Sequence, residues 1–164
     1  MKKLVDQWDK AAKKYTKDQE QSDFVKSNKR IVKTRFQEMS GRKVLDLGCG
    51  YGYYTDYFQS IGADVIGVDG SANMIDIARS RYKNCTFDIC DITENLPYEN
   101  ESFDLIFCNQ VLMDIENIEK EQQAINKKIP FKVRYSGNYL WQIYYSEATD
   151  KYFMIVPTED KDYS

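Results

Sequence analysis

Val44-Leu45-Asp46-Leu47-Gly48-Cys49-Gly50-Tyr51-Gly52-Tyr53-Tyr54-Thr55 joins an apolar run to three glycines at alternate positions and then to a stretch of helical character. A buried strand that ends in such glycines and turns into a helix brings bare backbone close to a ligand. It also aims free N–H groups at that ligand, which suits an anionic group. A phosphate-cradling loop needs a Lys after its last glycine, and no Lys or Arg occurs from Val44 to Ala78. The dinucleotide fingerprint G-x-G-x-x-G is also missed, because Gly48-Cys49-Gly50-Tyr51-Gly52 places the third glycine one position early. Asp46, at the strand end, suits a ligand that carries positive charge beside its anionic group.

From Lys43 onward short β-type runs alternate with helical stretches. Val44–Leu47 is followed by a helix near Tyr53–Ser60, Val65–Val68 by a helix near Ser71–Arg81, then come strands over Cys85–Cys90 and Phe103–Asn109 and a helix from about Ile115 to Ile125. Strands alternating with helices imply right-handed crossovers and an α/β fold, its mostly parallel sheet covered by helices on both faces. Upstream, residues 1–40 read as two charged amphipathic helices, with Leu4, Trp8, Ala11 or Ala12 and Tyr15 at helical spacing, then Phe24, Val25, Ile31, Val32, Phe36 and Met39. Ser40-Gly41 ends the second of them. Downstream of Pro130 the character shifts to Phe131–Ser136, Tyr139–Ser146 and Tyr152–Pro157, with a turn at Ser136-Gly137-Asn138. The expected organisation is a single domain over 1–164: N-terminal helices in 1–40, a ligand-binding α/β core in 41–126, and an antiparallel β tail in 131–158.

Asp69 ends the second strand nineteen residues after Gly50, where a carboxylate accepts hydrogen bonds from both hydroxyls of a ribose. Ser71 caps the next helix, and Met74 is placed to cover one face of a flat base with its thioether. Asp91-Ile92 follows the third strand and offers an acceptor for an exocyclic amine beside an apolar side chain, a pair that fits adenine. Each residue also has a plainer reading. Met74, Trp8 and Tyr15 would pack in the core, Asp91 would cap a turn, Asn109 would terminate a strand, and Cys85 and Cys90 would simply be buried.

The whole chain has 164 residues, 42% apolar and 30% charged types, and a net charge of −3, which suits one globular domain and disfavours nucleic acid and anionic lipid as partners. Without histidine, Ser-His and Cys-His nucleophiles and the commonest transition-metal ligand are excluded. The four cysteines form no C-x-x-C pair, so a zinc ribbon and a thioredoxin-like motif are unreadable, no metal is expected, and the thiols should be reduced. No apolar stretch reaches the ~18 residues of a membrane span, and Asp6 interrupts any signal-peptide region, so the expectation is a cytoplasmic protein without a membrane partner.

These segments together resemble the class I S-adenosylmethionine-dependent methyltransferases, especially the small-molecule, type 11-like branch. Val44–Gly52 is similar to the family's first motif, Gly67-Val68-Asp69-Gly70-Ser71-Ala72-Asn73-Met74 to its second, and Asp91 through Leu96-Pro97-Tyr98 and Ser102–Ile106 to its third and fourth. Trp8-Asp9-Lys10-Ala11-Ala12-Lys13-Lys14-Tyr15 is similar to the W-D-x-x-A-x-x-Y segment that often precedes this fold, so the resemblance covers about residues 8–120. It implies a Rossmann-like methyltransferase fold that takes S-adenosyl-L-methionine as cofactor. Asp46 and the backbone of Gly48, Cys49, Gly50 and Gly52 would hold the methionine part. Asp69, next to Gly70, would take the ribose, and Met74, Asp91 and Ile92 would surround the adenine. Asn109 would lie beneath the sulfonium, and Tyr15 would close over the cofactor.

The implied reaction is in-line methyl transfer to a small-molecule acceptor, which needs no histidine and for which no catalytic base is assigned. The C-terminal third departs from the family pattern: Phe131–Ser136 has the place of the fifth strand but alternates charged and apolar residues. Two readings of the tail stand open, a shortened antiparallel edge that completes the sheet or a tail of different origin that alters the acceptor side. The second would leave a cofactor-binding module without turnover. An edge strand in this tail would also offer pairing to a second copy, so a homodimer is an expectation.

Overall fold

The computed structural model describes residues 2–92, 96–99, 102–109, 111, 142–146 and 151–156. The elements are α1 (Lys2–Gln21), α2 (Asp23–Arg35), β1 (Lys43–Leu47), α3 (Tyr53–Ser60), β2 (Asp64–Asp69), α4 (Ala72–Arg81), β3 (Thr86–Ile89), β4 (Leu105–Asn109), β5 (Gln142–Ser146) and β6 (Lys151–Val156). They build a six-stranded sheet of order β3-β2-β1-β4-β6-β5, parallel throughout except for the β5–β6 pair. The Rossmann-like pattern read from the sequence is therefore present. The antiparallel tail holds for β5 against β6, while β6 itself runs parallel beside β4, so these strands extend the sheet. Phe131–Ser136, the turn at Ser136-Gly137-Asn138 and the helix expected from Ile115 to Ile125 lie outside the described residues.

Side chains alternate across a strand, and the register carries that alternation from strand to strand. Val44 pairs with Val65 on one side and Leu105 on the other, so these residues share a face. There Val32, Phe58, Ala63 and Phe107 complete a buried cluster under α2 and α3. Phe58 and Phe107 are fully buried with ring centroids 5.0 Å apart. On the opposite face Leu45, Leu47, Val68, Ile106 and Cys108 pack with Leu96. A third cluster, Cys49, Ile75, Ala78 and Phe87, seats α4. Two steps along the first face from Val44 and Phe107 come Asp46 and Asn109, at the C-terminal ends of β1 and β4. The alternation that fills the core thus also brings these two polar residues to the same side.

The second N-terminal helix is shorter than its apolar spacing suggests. It ends at Arg35, and Phe36 is extended (φ −118°, ψ 96°). Leaving the helix brings the Phe36 ring within 5.3 Å of Phe58 and 6.4 Å of Phe107, and its carbonyl accepts from the Tyr57 hydroxyl. Burial of the ring outweighs one more helical turn. Ser40-Gly41 instead forms the turn before β1, where the Arg42 N–H donates to the Met39 carbonyl at 3.0 Å. No helix among the described residues is long and apolar enough to cross a membrane.

Phe107 is itself fully buried, packed against the fully buried Phe58 and the half-buried Phe36 and Tyr54. Phe107→Ala is therefore expected to lower unfolding stability by about 3–5 kcal/mol in urea denaturation; a loss below about 1 kcal/mol would contradict the packing described.

Candidate functional site

β1 ends in a loop that reverses direction over three glycines with positive φ: Gly48 (73°), Gly50 (53°) and Gly52 (86°). The Gly48 and Cys49 N–H groups both donate to the Val68 carbonyl, at 2.8 and 2.9 Å, which holds the loop against β2; with the Gly50 N–H taken by Asp69 and that of Gly52 by the Cys49 carbonyl, the N–H groups expected to be free for an anion are engaged within the protein. Gly52 is closed in: a Cβ there would lie 2.7 Å from Phe87 Cζ and 2.9 Å from Ala78 Cβ. At Gly48 a Cβ would collide with Val111. Gly50 differs, since a Cβ on it would meet nothing within 4 Å. Two of the glycines thus serve packing, and the third leaves open space above the loop.

Asp69 fixes this geometry. Its Oδ2 accepts the Gly50 N–H and its Oδ1 the Ser71 N–H, both at 2.9 Å. Burial raises its pKa, and the two backbone donors oppose the rise. Asp46 is 2% exposed, and its Oδ2 accepts the Thr55 hydroxyl at 2.6 Å. Thr55 reaches it across Gly67, where any Cβ would lie 2.5 Å from Thr55 Oγ1. Burial pushes the Asp46 carboxyl up to about 7, aided by the nearby charge of Asp69 and resisted by the Thr55 hydrogen bond. Burial also raises the Cys49 thiol well above its ordinary range and leaves it inert as a nucleophile.

A crevice of about 60 Å³ opens over this loop, and Tyr15, Asp46, Gly48, Cys49, Gly50 and Asn109 all line it. Asn109 Oδ1 accepts from Asn28 Nδ2 at 3.0 Å. The remaining sequence candidates lie elsewhere. Gly52 is packed, and Asp69, half-buried and bonded to the loop, is not part of the crevice lining. Gly70 lies beneath α1, where its Cβ would be 3.2 Å from Val5 Cγ2. Met74 is 2% exposed and its N–H is used by the Ser71 hydroxyl cap, so it is a buried residue of α4 outside the crevice lining. Asp91 and Ile92 follow β3, and Ile92 packs against the Leu45 and Leu47 cluster.

Helix α1 crosses this end of the sheet. Asp9 Oδ1 accepts the Ser71 hydroxyl and, at 3.0 Å, the Asn73 N–H, while the Asp9 carbonyl accepts from Asn73 Nδ2 at 2.9 Å. Trp8 packs edge-on against Tyr15 with centroids 4.9 Å apart. Sequence reasoning missed Gln19, Val25, Asn28, Lys29, Tyr51, Tyr53 and Tyr54 of the lining. Asn28 carried a usable signal, being the polar member of a helical stripe with Val25 and Val32. Among the described residues no group of acidic, cysteine or histidine side chains has the makings of a metal site.

A family model described as a methyltransferase domain matches residues 38–155. The chain belongs to this methyltransferase domain family. Among its relatives, the malonyl-[acyl-carrier protein] O-methyltransferase of Bacillus cereus is 35% identical over 94 residues, covering 55% of this chain and 34% of that protein. The mitochondrial ubiquinone biosynthesis O-methyltransferase of Rattus norvegicus is 33% identical over 88 residues, 49% of this chain and 26% of that one. Phosphoethanolamine N-methyltransferase 2 of Haemonchus contortus, solved with phosphomonomethylethanolamine and S-adenosylhomocysteine, superposes with a TM-score of 0.54 at 28% identity over 63% of this chain and 25% of that chain. The methyltransferase domain thus spans only 18 to 34% of the length of the first curated relatives it matches.

Two expectations follow from the loop. Gly50→Ala incurs only the left-handed backbone strain, about 1–2 kcal/mol, whereas Gly52→Ala adds a clash with Phe87 and Ala78, raising the loss by a further ~1–3 kcal/mol in urea denaturation; equal losses would contradict the packing. The second concerns Asp46. A carboxyl that binds its proton more tightly when folded stabilises the fold at low pH, and that stability is lost as pH rises from about 4 to about 7. Without added ligand, the melting temperature of Asp46→Asn should therefore fall less across this interval than that of the unsubstituted protein; identical slopes would refute the assignment.

Proposed function

We propose that this methyltransferase domain binds S-adenosyl-L-methionine and transfers its methyl group to a small-molecule acceptor. The observation that carries the reading is the open backbone at Gly50, held by Asp69 beside a crevice that Asp46 and Asn109 also line. The crevice residues fit the charged end of such a ligand, while the ribose and adenine candidates Asp69, Asp91 and Ile92 lie outside its lining. The Asn28 Oδ1 is buried there without a hydrogen-bond partner among the described residues, as expected of a group set to meet a ligand. The S-adenosylhomocysteine and phosphomonomethylethanolamine in the Haemonchus structure support the same cofactor and a small acceptor.

In this reading the chemistry supplied by the cofactor is a methyl group already activated by the sulfonium charge. The protein's share is then alignment, with acceptor and methyl carbon held about 3–3.5 Å apart, and exclusion of water. Asp46 and carbonyls of the Gly48–Gly50 backbone, whose N–H groups are bonded to Val68 and Asp69, hold the ammonium of the amino-acid part. Asp69, whose oxygens keep lone pairs beyond the two backbone donors, takes the ribose hydroxyls. Asp91 and Ile92 border the adenine. Tyr15 and Asn109 wall the reacting end. Tyr54 stays protonated, because burial raises its pKa, so it contributes a neutral O–H at this wall.

Residues 1–164 then form one domain, with 1–40 covering a cofactor core of 41–126 and a tail of 131–158 whose β5 and β6 extend the sheet. The free thiols of Cys49, Cys85, Cys90 and Cys108 support a cytoplasmic setting, and β5, last in the sheet order, supports edge pairing with a second copy. Thermal-shift titrations with S-adenosylhomocysteine, NAD and ATP test the assignment. S-adenosylhomocysteine alone is expected to raise the melting temperature, by several degrees at about 100 times its Kd, and Asp69→Asn to reduce that shift. A larger shift with NAD would overturn it, and methylated product from a panel of amine, hydroxyl and carboxylate acceptors checks turnover.

A further inference from the structure

Helix α2 places two consecutive side chains in the crevice with complementary needs. Asn28 is 4% exposed and donates through Nδ2 to Asn109, yet its Oδ1 is buried and accepts nothing among the described residues. A buried oxygen in that state bears its full desolvation cost, so a donor is missing. Lys29 poses the opposite demand. Its ammonium lies 3.7 Å from the centroid of the Tyr53 ring and pairs with no carboxylate among the described residues. Glu20, the acidic group that acts on it, is bonded to Arg81 at 2.6 Å, while Lys33 and Arg81 add further positive charge. Partial burial lowers the Lys29 pKa, and the charges of Lys33 and Arg81 lower it further.

A ligand that offers only an anion leaves Asn28 unsatisfied, and one that offers only an amine leaves Lys29 unpaired. An α-amino-acid group, with ammonium and carboxylate on one carbon, answers both, and the same crevice is lined by Asp46 and the Gly48–Gly50 backbone. We propose that Asn28 and Lys29 form a clamp for the amino-acid end of the nucleoside ligand, the ammonium donating to Asn28 Oδ1 and the carboxylate pairing with Lys29. The clamp rests on the cofactor reading above and assigns two residues of α2 that the glycine-loop motif does not contain.

Calorimetric binding to the full chain tests it with three ligands: S-adenosylhomocysteine, its decarboxylated analogue, and 5′-methylthioadenosine, which lacks the whole amino-acid group. Lys29→Met should weaken S-adenosylhomocysteine roughly tenfold or more and leave the other two within about twofold, with Lys29→Arg restoring most of the loss. Asn28→Ala should weaken the two ligands that carry an ammonium and spare 5′-methylthioadenosine. If Lys29→Met weakens all three alike, or none, the clamp is wrong. Should the unsubstituted chain bind all three equally, the clamp falls while the cofactor reading stands. Should it bind none of them, the cofactor reading falls and takes the clamp with it. Loss of acceptor methylation in Lys29→Met with all three affinities unchanged would assign Lys29 to the acceptor and overturn the proposal.

Discussion

One carboxylate connects the parts of this site. Asp69 ends β2, takes the N–H of Gly50 with one oxygen and the N–H of Ser71 with the other, and so ties the loop after β1 to the start of α4. Both donors are backbone groups in turns, where no sheet or helix partner exists for them, and their burial without a partner would be costly. The constraint propagates. With Gly50 held, the loop keeps its open side toward the crevice, and with Ser71 held, its hydroxyl caps α4 at Met74 and meets Asp9 of α1. Loop, strand and two helices therefore share one anchor.

The elements at the centre of the chain were legible because local and global signals agree there. α3 has the limits its sequence suggests, and β1 and β2 differ by one residue at the ends, since their apolar runs are bounded by glycine and aspartate. The end of α2 was not legible. Its apolar spacing continues through Phe36, and only the tertiary contacts of that ring with Phe58 and Phe107 draw it out of the helix. The position of β6 parallel to β4 likewise depends on a pairing over long sequence separation, which no local pattern encodes.

The site was partly legible for the same reason. The backbone half, from Asp46 to Gly52 with Asp69, is contiguous or reached in one crossover, and its chemistry is carried by glycine and aspartate at fixed spacing. The side-chain half comes from α1 and α2, whose crevice-facing positions depend on how those helices dock. Met74 shows the ambiguity plainly: a methionine at helical spacing fits a base or a core equally well, and here it is almost fully buried in α4. Asn28 is the converse case, a polar residue in an apolar stripe whose meaning emerges only once Asn109 is found beside it. Trp8-Asp9 gains a structural meaning as well, since Trp8 braces Tyr15 while Asp9 binds the first turn of α4.

The Asp9 contacts bear on how the protein is made. They join residues 62 and 64 positions apart, so during synthesis Asp9 is made well before Ser71 and Asn73 exist. At ~5–20 residues per second, that is a wait of roughly 3–12 s. For this interval a charged helix of 20 residues, marginal in isolation, lacks the α4 turn to which Asp9 binds. Docking of α1 on the start of α4 therefore waits on residues made 62 and 64 positions later.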